Sequence, residues 1–412
     1  MCTAIGAVTL ATVAVLGVHS TPAPAERVVA PDPSVRMAIR LLHPTAAQRE
    51  QALAVALDLW SDSPDATPLD IVVESSAWRR SPATEAWDVL VADIDAVAEA
   101  ERTRLAQVER DARIAKPTPD EWFTEYRPYV AVVEHLHMLS LAYPDRARVE
   151  DIGTSLEGRK LRAIHLGTNT DAPTVVFNGG QHAREWISVM TTTCIADRLA
   201  RGYGADDRIK NILDTTHVVI VPLVNPDGYE YSWTDDRYWR KNRRGDHGVD
   251  LNRNWPVAFG GRGSSKQPAS PIYHGEHAFS EPETAALRDL MRREKPVVHI
   301  DFHSYSQLVL YPWGFTTKKA PDHAELSTTA QRYADVLASV HGVKYTPKSG
   351  GALYPAGGTM MDWVYAERDT PSFVVELRPR RGDGFVLPPE EIVPTCEENF
   401  AAVLDLIERT PR

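Results

Sequence analysis

Polar residues capable of metal chemistry follow two apolar segments of the chain. His182 and Glu185 come shortly after the run Thr174–Asn178, and His303 directly follows a run that ends at Phe302. Two imidazole nitrogens and one carboxylate are a common ligand set for a catalytic zinc ion with an open coordination position. His182 and Glu185 are close enough in sequence to reach one ion at a strand-to-helix turn. The sequence therefore indicates a metal site, although His-x-x-Glu alone is weak because it also arises by chance.

The apolar segments that precede these residues have the character of buried strands. They are short, apolar runs of the kind found in central strands that are covered on both faces. They lie at 174–178, 217–224, 296–302 and 372–377. Their alternation with helical patterns predicts an α/β domain with a mixed, mostly parallel, twisted sheet flanked by helices. Ligands bind such sheets beyond the carboxyl ends of the strands, where His182, His303 and Glu376 stand.

Several residue pairs predict where helices begin and end. Ser280 with Glu283, and Thr395 with Glu398, match the capping-box pattern of a hydroxyl followed by an acid three residues later. Gly202 and Gly342 stand at expected helix ends. We therefore expect helices over 184–201, 281–293, 323–341 and 396–409.

Residues 26 to about 115 lack these catalytic patterns and form a separate region. Met37–Leu42 is predicted to be a strand, and Thr45 with Gln48 forms a capping box ahead of a helix. Further strands and a second helix are expected at 70–73, 87–91 and about 92–105. Strands in one block with helices over one face predict a small, compact α+β unit.

A basic segment joins the two parts of the chain. It contains Arg102, Arg104, Arg110, Arg113 and Lys116. Trypsin-like enzymes cut after such residues where a segment is exposed, which makes this segment a candidate processing site. Basic residues also favour the C-terminal end of a helix through the helix dipole, without any processing. The residues alone leave both interpretations open.

The N-terminal residues and the cysteines bear on the compartment. Residues 1–25 contain no Lys or Arg, and their apolar run Ala4–Val18 is too short to span a bilayer. With the small-x-small pattern at 23–25, this predicts a signal peptide over 1–25 and a secreted protein rather than a vacuolar or lysosomal one. Once Cys2 is removed, Cys194 and Cys396 either form one disulfide or remain as two buried thiols.

The composition excludes some partners. A formal net charge of -11 over 412 residues gives no electrostatic footprint for nucleic acid or an anionic membrane. No segment after the N-terminal run is long and apolar enough for a membrane helix. We therefore expect neither nucleic acid nor a membrane as a partner. We also expect the protein to be a monomer.

A series of motifs in the second part of the chain resembles a known family. In chain order they are NGGQHAREW at 178–186, NPDG at 225–228, WRK at 239–241, GVDLNRNW at 248–255, YHG at 273–275, SE at 280–281, HSYSQ at 303–307, LY at 353–354, DW at 362–363 and VELR at 375–378. In this order, across about 120–412, they resemble the funnelin (M14) metallocarboxypeptidases of the carboxypeptidase A/B group. The resemblance implies a zinc carboxypeptidase-like fold, one Zn²⁺ per catalytic domain, and peptide or protein C-termini as substrates.

The resemblance also implies a division of the chain into functional parts. Residues 26–115 match the position of the inhibitory prodomain of that group, a ferredoxin-like α+β unit that acts as an intramolecular inhibitor. Residues 116–412 match the catalytic domain. A trypsin-like protease is then the expected activator of the zymogen.

Matching positions imply roles for individual residues at the metal. The zinc ligands are His182, Glu185 and His303, and Asp250 is the carboxylate that orients the first ligand histidine. Glu376 is the general base, and Arg240 stabilises the oxyanion that develops on the substrate carbonyl. His299 and Asp301 match no ligand of the family, so we expect them to be packing or hydrogen-bonded structural residues.

Other matching positions imply how the substrate is held. Asn252 and Arg253 match the pair that binds the terminal carboxylate, a task suited to a planar guanidinium. Tyr354 matches a mobile tyrosine that closes over the site, and Arg184 and Tyr305 match outer subsites. Met361 stands where members specific for basic residues carry an acid, and its expected neighbours are uncharged: Ser349, Ala356 and Val374. An apolar specificity pocket, and hence release of apolar or aromatic C-terminal residues, is expected.

Two alternatives and one departure accompany the resemblance. A catalytically inactive relative that binds peptides is the main alternative, and hydrolysis of a cell-wall or γ-glutamyl amide is a second one. The presence of Glu376 and Arg240 argues against the first, and Arg253 argues for a plain α-carboxylate over the second. A disulfide of the pancreatic members is missing because Asp246 and Ala269 occupy its positions. We expect other contacts to hold that loop.

Overall fold

A computed structural model describes residues 35–80, 87–114, 118, 121–380, 382 and 384–410. The predicted signal peptide over 1–25 lies outside the described residues. Within them, the strands form two separate sheets, one of four strands and one of eight. The first sheet belongs to the region before residue 115 and the second to the region after it.

The first unit comprises β1 (Arg36–Leu41), α1 (Ala46–Val55), β2 (Ala56–Leu59), β3 (Leu69–Glu74), α2 (Ser75–Arg80), β4 (Trp87–Val91) and α3 (Ile94–Ile114). The sheet is antiparallel, with strand order β2-β3-β1-β4. Apolar residues of β1 and β3 pack against α1 in a small core that also includes Ile272 of the second unit. The Thr45–Gln48 capping box at the start of α1 is present as predicted.

The second unit begins with a 3-10 helix at Glu121–Thr124 and contains β5 to β12 and α4 to α12. The strands are β5 (Ala147–Thr154), β6 (Lys160–Leu166), β7 (Thr174–Gly179), β8 (His217–Val221), β9 (Val298–Ser304), β10 (Leu308–Tyr311), β11 (Thr346–Ser349) and β12 (Ser372–Leu377). The helices are α4 (Tyr129–Ala142), α5 (Trp186–Gly202), α6 (Asp207–Thr215), α7 (Pro226–Thr234), α8 (Pro282–Glu294), α9 (His323–His341), α10 (Gly350–Leu353), α11 (Met360–Arg368) and α12 (Ile392–Arg409). Short 3-10 helices also occur at Leu251–Arg253 and Pro389–Glu391.

The eight strands form a mixed sheet in the order β11-β10-β12-β9-β7-β8-β6-β5. The central strands β12, β9, β7 and β8 run parallel, and antiparallel pairs occur towards both edges. Every residue of these four strands is buried, as expected for strands covered by helices on both faces. This is the α/β architecture that the alternating pattern predicts.

Some predicted boundaries are wrong. Ser280 and Glu283 do not form a capping box, because α8 begins at Pro282 and the Ser280 hydroxyl bonds Glu281 instead. Thr395 does not start a helix, because α12 begins at Ile392 and Thr395 lies within its first turn. Helix α3 continues to Ile114, beyond the expected end near residue 105. Gly342 ends α9 in the left-handed conformation, as expected.

One disulfide joins two helices of the second unit. Cys194 on α5 and Cys396 on α12 are bonded, across 202 residues of sequence. Both cysteines are buried in the main apolar core. The choice that the sequence leaves open between a disulfide and two thiols is thus settled for the described structure.

Candidate active site

Three side chains converge at the carboxyl ends of β7 and β9. Nδ1 of His182 lies 2.7 Å from Oε1 of Glu185, and Nδ1 of His303 lies 2.9 Å from the other Glu185 oxygen. The two imidazole nitrogens are 3.1 Å apart. Two nitrogens at zinc-ligand distance from one ion, at a tetrahedral angle, are about 3.4 Å apart. All three residues are buried, so this donor set fits a zinc ion.

Carboxylates hold the far nitrogens of both imidazoles. Nε2 of His182 lies 3.2 Å from Oδ1 of Asp250, and Nε2 of His303 lies 2.9 Å from Oδ2 of Asp301. Such partners fix the tautomer and the orientation of a ligand histidine, so that Nδ1 faces the metal. Asp301, expected to be only a structural residue, therefore also orients His303. This role could have been predicted because Asp301 lies two residues before His303 on the same strand, so both side chains lie on one face of the sheet.

His299, two residues earlier on β9, occupies a different environment. Its Nδ1 lies 2.8 Å from the Ser372 hydroxyl, and its Nε2 lies 2.7 Å from Oδ1 of Asn178. Burial lowers the pKa of His299 to about 4, so its imidazole is neutral at physiological pH. It is a hydrogen-bonded structural residue of the sheet.

A buried arginine lies beside the ligand cluster. Arg240 donates to Oδ2 of Asp250 from Nε at 3.1 Å and from Nη2 at 3.0 Å, and its Nη1 is 4.0 Å from Glu185. Burial disfavours the charge of Asp250, but Arg240 and Arg253 outweigh it and hold the pKa of that carboxyl well below its usual range. Asp250 thus joins the ligand His182 to a fixed cation.

Glu376 faces the same region from β12. It pairs in register with His303 on β9 and with Leu308 on β10, and it is buried. Burial, and then the carboxylate of Asp62, raises the pKa of Glu376 well above its ordinary value. A buried carboxylate next to a metal ligand is placed to exchange a proton with a group bound there.

Asn252 and Arg253, the pair matched to binding of the terminal carboxylate, lie on the 3-10 turn Leu251–Arg253. The Asp250 carboxylate accepts a hydrogen bond from the backbone N–H of Asn252 at 3.0 Å, which fixes this turn. The Asn252 side chain accepts a hydrogen bond from the amide of Met360 at 2.9 Å and lies 3.3 Å from Nε2 of His303. Arg253 donates to the carbonyl of Gly263 at 2.7 Å. The turn therefore brings the Asn252 side-chain amide next to the ligand His303, and the Arg253 guanidinium follows it in the same turn.

The remaining matched residues border this centre. Tyr354 and Tyr305 line one cleft together with Glu376. Met361 lies in a buried apolar cluster with Leu308, Leu310 and Val374. Arg184 is fully buried and bonded to residues of the first unit. The structure thus assembles all of these positions around one centre.

One residue of this site was missed by sequence reasoning. Asp62, in the loop between β2 and β3, accepts a hydrogen bond from Nη1 of Arg240 at 2.6 Å. Its backbone carbonyl also accepts one from Arg253. Burial disfavours its charge, but Arg240 and His182 hold the pKa of Asp62 well below its usual range. The chain around Asp62 carries no motif, so only the fold reveals this contact.

Side-chain hydrogen bonds hold the loop in which the family disulfide is missing. The buried Lys241 donates from Nζ to the carbonyl oxygens of Pro268 and Ser270, each at 2.8 Å. Asn242 bonds the carboxylates of Glu281 and Glu283, at 2.7 and 3.2 Å. These contacts span the segment that contains Asp246 and Ala269.

Glu283 makes the stability of this region depend on pH. Burial raises its pKa to about 7 from an ordinary 4.5, and the neighbouring Glu281 adds to the shift. The folded chain therefore binds more protons than the unfolded chain between these values, and stability is lost as the pH rises through 7. Glu283→Gln stays neutral, so we expect a free energy of unfolding about 3 kcal/mol above wild type at pH 8, with no gain at pH 4.5.

Urea unfolding of both proteins at several pH values measures this difference. The exposed Glu276→Gln is the matched control and should follow the wild-type curve. A constant difference between Glu283→Gln and wild type across this pH range would contradict the assignment.

Comparison with known proteins agrees with this geometry. A family model described as zinc carboxypeptidase matches residues 132–402. Carboxypeptidase B of Astacus astacus is 40% identical over 294 residues, 69% of this chain and 96% of the relative. Carboxypeptidase A4 of Mus musculus is 33% identical over 368 residues, 85% and 86% of the two chains.

The solved structures extend the similarity to both units. The crystal structure of thrombin activatable fibrinolysis inhibitor aligns with a TM-score of 0.81 at 27% identity, over 91% of this chain and 99% of that one. An alignment of this extent includes most of the first unit. The donor set of His182, Glu185 and His303 fits the Zn²⁺ that the family implies. This chain belongs to the zinc carboxypeptidase (M14) family and is a metallocarboxypeptidase of the A/B-like group.

Proposed function

We propose that this protein is a secreted zinc carboxypeptidase, made as a zymogen, that releases single apolar or aromatic residues from peptide C-termini. The observation that carries the proposal is the contact of the Asn252 side chain with the ligand His303 at 3.3 Å, together with the Arg253 guanidinium, which donates to the Asn252 carbonyl at 2.7 Å. A metal site of this kind supports hydrolysis, and a guanidinium beside it selects a substrate that ends in a free carboxylate.

The proposed roles at the reacting bond follow from position. Zn²⁺ held by His182, Glu185 and His303 would supply a Lewis acid for the substrate carbonyl and would make a water nucleophilic at neutral pH. Glu376 accepts the proton of the attacking water and passes it to the leaving amine. Arg240, held by Asp250, stabilises the negative charge that develops on the carbonyl oxygen. An inactive peptide-binding relative is not favoured, because the base and this cation are both in place.

Substrate binding is assigned to the residues around this centre. Asn252 and Arg253 bind the terminal carboxylate, and Tyr354 lines the cleft beside Glu376. Arg184 and Tyr305 are assigned to binding the substrate residues that precede the scissile bond. A carboxylate bound by a planar guanidinium gains two parallel hydrogen bonds, which orients the scissile carbonyl as well as adding affinity.

An apolar pocket supports the preference for apolar residues. Met361 packs with Leu308, Leu310 and Val374 at the base of the site, and Ala356 is buried nearby. Burying an unpaired substrate cation against these side chains costs several kcal/mol. Relatives named carboxypeptidase A and carboxypeptidase B both match this chain, so their names do not decide the preference.

A substrate panel tests this preference. For the proteolytically cut enzyme, we expect kcat/KM on peptides ending in Phe or Leu to exceed that on peptides ending in Lys by about 10²-fold or more, which corresponds to about 3 kcal/mol. The same peptides with a C-terminal amide should be resistant. Met361→Asp should shift the preference towards Lys. Equal or faster cleavage of the Lys-terminated peptide by wild type would refute the assignment.

The contacts between the two units support an inhibitory prodomain over 26–115, with residues 116–412 as the catalytic domain. Three carboxylates of the first unit each bond a residue assigned to catalysis or substrate binding. Asp62 bonds Arg240, Asp58 bonds Arg184 at 2.7 Å, and Asp70 accepts the Tyr305 hydroxyl at 2.6 Å. In this arrangement the first unit occupies the groups that a peptide needs.

Aromatic packing stabilises the same interface. Trp60 of the first unit stacks on Tyr238, with ring centroids 5.2 Å apart, and meets Phe385 edge to face at 5.3 Å. Glu101 on α3 forms a buried ion pair with Arg237. Removal of the first unit would leave these apolar and charged groups open to solvent, which favours a tightly docked precursor.

Activation is assigned to the basic segment between Arg102 and Lys116, cut by a trypsin-like protease. Helix α3 continues to Ile114, and residues 115–117 lie outside the described structure. Cleavage within this basic segment separates the prodomain, assigned to 26–115, from the catalytic domain.

Secretion is supported by the Cys194–Cys396 disulfide, since such bonds persist mainly in oxidising compartments. No helix in the described part of the chain is long and apolar enough to cross a membrane. The enzyme is proposed to act as a monomer on peptide and protein C-termini, with no role for nucleic acid or a membrane.

A further inference from the structure

A second group of metal-binding side chains lies at the opposite end of the large sheet. It consists of His165 on β6, His217 at the start of β8, and Glu294 at the end of α8. One candidate ligand atom from each lies within 4.8 Å of the others. His217 pairs with Thr174 at the start of β7, whereas the catalytic ligands follow the end of β7. The two groups are therefore separated by about 20 Å, the length of that strand.

The two histidines resemble the catalytic pair in the spacing of their facing nitrogens. Nδ1 of His165 lies 3.2 Å from Nε2 of His217, compared with 3.1 Å between the nitrogens of His182 and His303. This spacing is close to the separation of about 3.4 Å for two nitrogens on one tetrahedral ion. The tilt of 22° between the rings and their centroid distance of 5.2 Å keep the two nitrogens facing each other.

Oxygen atoms lie against the outer nitrogens of both rings. Nε2 of His165 is 3.0 Å from a carboxylate oxygen of Glu150, and Nδ1 of His217 is 3.3 Å from the Thr174 hydroxyl. The first of these contacts lacks good hydrogen-bond geometry, which leaves Nε2 of His165 buried without a satisfied hydrogen bond. The Thr174 hydroxyl thus orients the His217 ring, as an outer oxygen partner does for a metal-binding histidine, whereas the outer nitrogen of His165 still lacks a hydrogen-bond partner.

The charges around the group favour a nitrogen-binding metal. Arg293 pairs with Glu150 at 2.8 Å and with Glu294 at 3.0 Å, and Arg148 approaches Glu150 at 3.4 Å. The carboxylates are thus partly neutralised, which disfavours Ca²⁺ and Mg²⁺, whose sites need several charged oxygen ligands. Two buried imidazoles suit Zn²⁺.

From this geometry we propose that His165, His217 and Glu294 form a second, structural zinc site, separate from the catalytic centre. Oε2 of Glu294 lies 3.8 Å from Nδ1 of His217, the nitrogen that faces away from His165, and Glu294 is partly exposed, so its side chain must rotate towards Nε2 of His217 to complete the set. The ion would fasten the C-terminal end of α8 to β6 and β8. Because zinc would bind the folded chain and not the unfolded one, it would stabilise the domain.

Metal analysis of the full-length chain tests the site. After equilibration with buffered free Zn²⁺, we expect two zinc atoms per wild-type chain by mass spectrometry of the metal. His217→Gln and Glu294→Gln should each retain one, with kcat/KM of the cut enzyme unchanged, which also shows that they are folded. The exposed His277→Gln is the matched control and should retain two.

Thermal unfolding provides a second readout. Raising free Zn²⁺ beyond saturation of the first site should raise the Tm of wild type and of His277→Gln, but not that of Glu294→Gln. Glu294 is the milder substitution, because it lies at a helix end and is less buried than the histidines. One zinc per wild-type chain, or two in Glu294→Gln, would overturn the proposal and leave the pair as a hydrogen-bonded contact between neutral histidines.

Discussion

Glu376→Gln is expected to lower the kcat of the cut enzyme by about 10³-fold or more while zinc remains bound. The amide keeps the shape of the side chain but cannot accept the proton of the attacking water, and general-base catalysis contributes about 10²–10⁴-fold. Glu376 stands in register with His303 yet is not one of the three clustered ligands. Steady-state kinetics on a Phe-terminated peptide, together with zinc content, measures both parts of the expectation.

Glu185→Gln is the informative companion to this variant. It alters a ligand, so it should lose zinc as well as activity, whereas Glu376→Gln should lose activity alone. Retention of more than a tenth of the wild-type kcat by Glu376→Gln would exclude Glu376 as the base. Loss of zinc from Glu376→Gln would place it among the ligands instead.

The second large effect concerns the intact precursor. The uncut chain is expected to be at least about 10²-fold less active than the chain cut between Arg102 and Lys116, because a tethered inhibitor acts at an effective concentration in the mM range. Asp62 occupies both Arg240 and Arg253, the proposed oxyanion and carboxylate partners. Activity before and after limited trypsin treatment, with the new N-terminus identified by mass spectrometry, measures the change.

Substitution of Asp62 separates its contact from the rest of the interface. Asp62→Ala should raise the activity of the uncut chain, whereas Asp65→Ala should not, because the Asp65 carboxylate pairs with the exposed Arg262 on the surface and not with a residue assigned to the site. An uncut wild-type chain as active as the cut one would refute the zymogen proposal. Equal effects of the two substitutions would show that Asp62 has no special part in inhibition.

The sequence predicts the central sheet well because its strands are apolar on both faces. The strand predicted at Ser372–Leu377 and the helix predicted at 323–341 have those bounds in the structure. Capping was less predictable, since a hydroxyl and an acid three residues apart also arise inside a helix, as at Thr395. Local sequence defines the interior of an element better than its ends.

Contacts between distant segments account for what the sequence could not show. Asp62 lies 178 residues before Arg240 in the chain, so no local pattern predicts their contact. His165 and His217 likewise come together only because β6 and β8 are neighbours in the sheet. The ligands His182 and Glu185 could be predicted from the sequence because they share one turn.

The covalent bond between α5 and α12 turns most of the catalytic domain into a closed ring of chain. Residues 194–396 lie within this ring, whereas the basic segment at 102–116 lies outside it. A single nick inside the ring leaves both fragments attached to each other, so the nicked enzyme migrates as one species until it is reduced. A nick in the basic segment has the opposite result, since no disulfide in the described structure ties the first unit to the second. The same protease can therefore detach the first unit with one cut, whereas a cut inside the ring leaves the catalytic domain in one covalent piece.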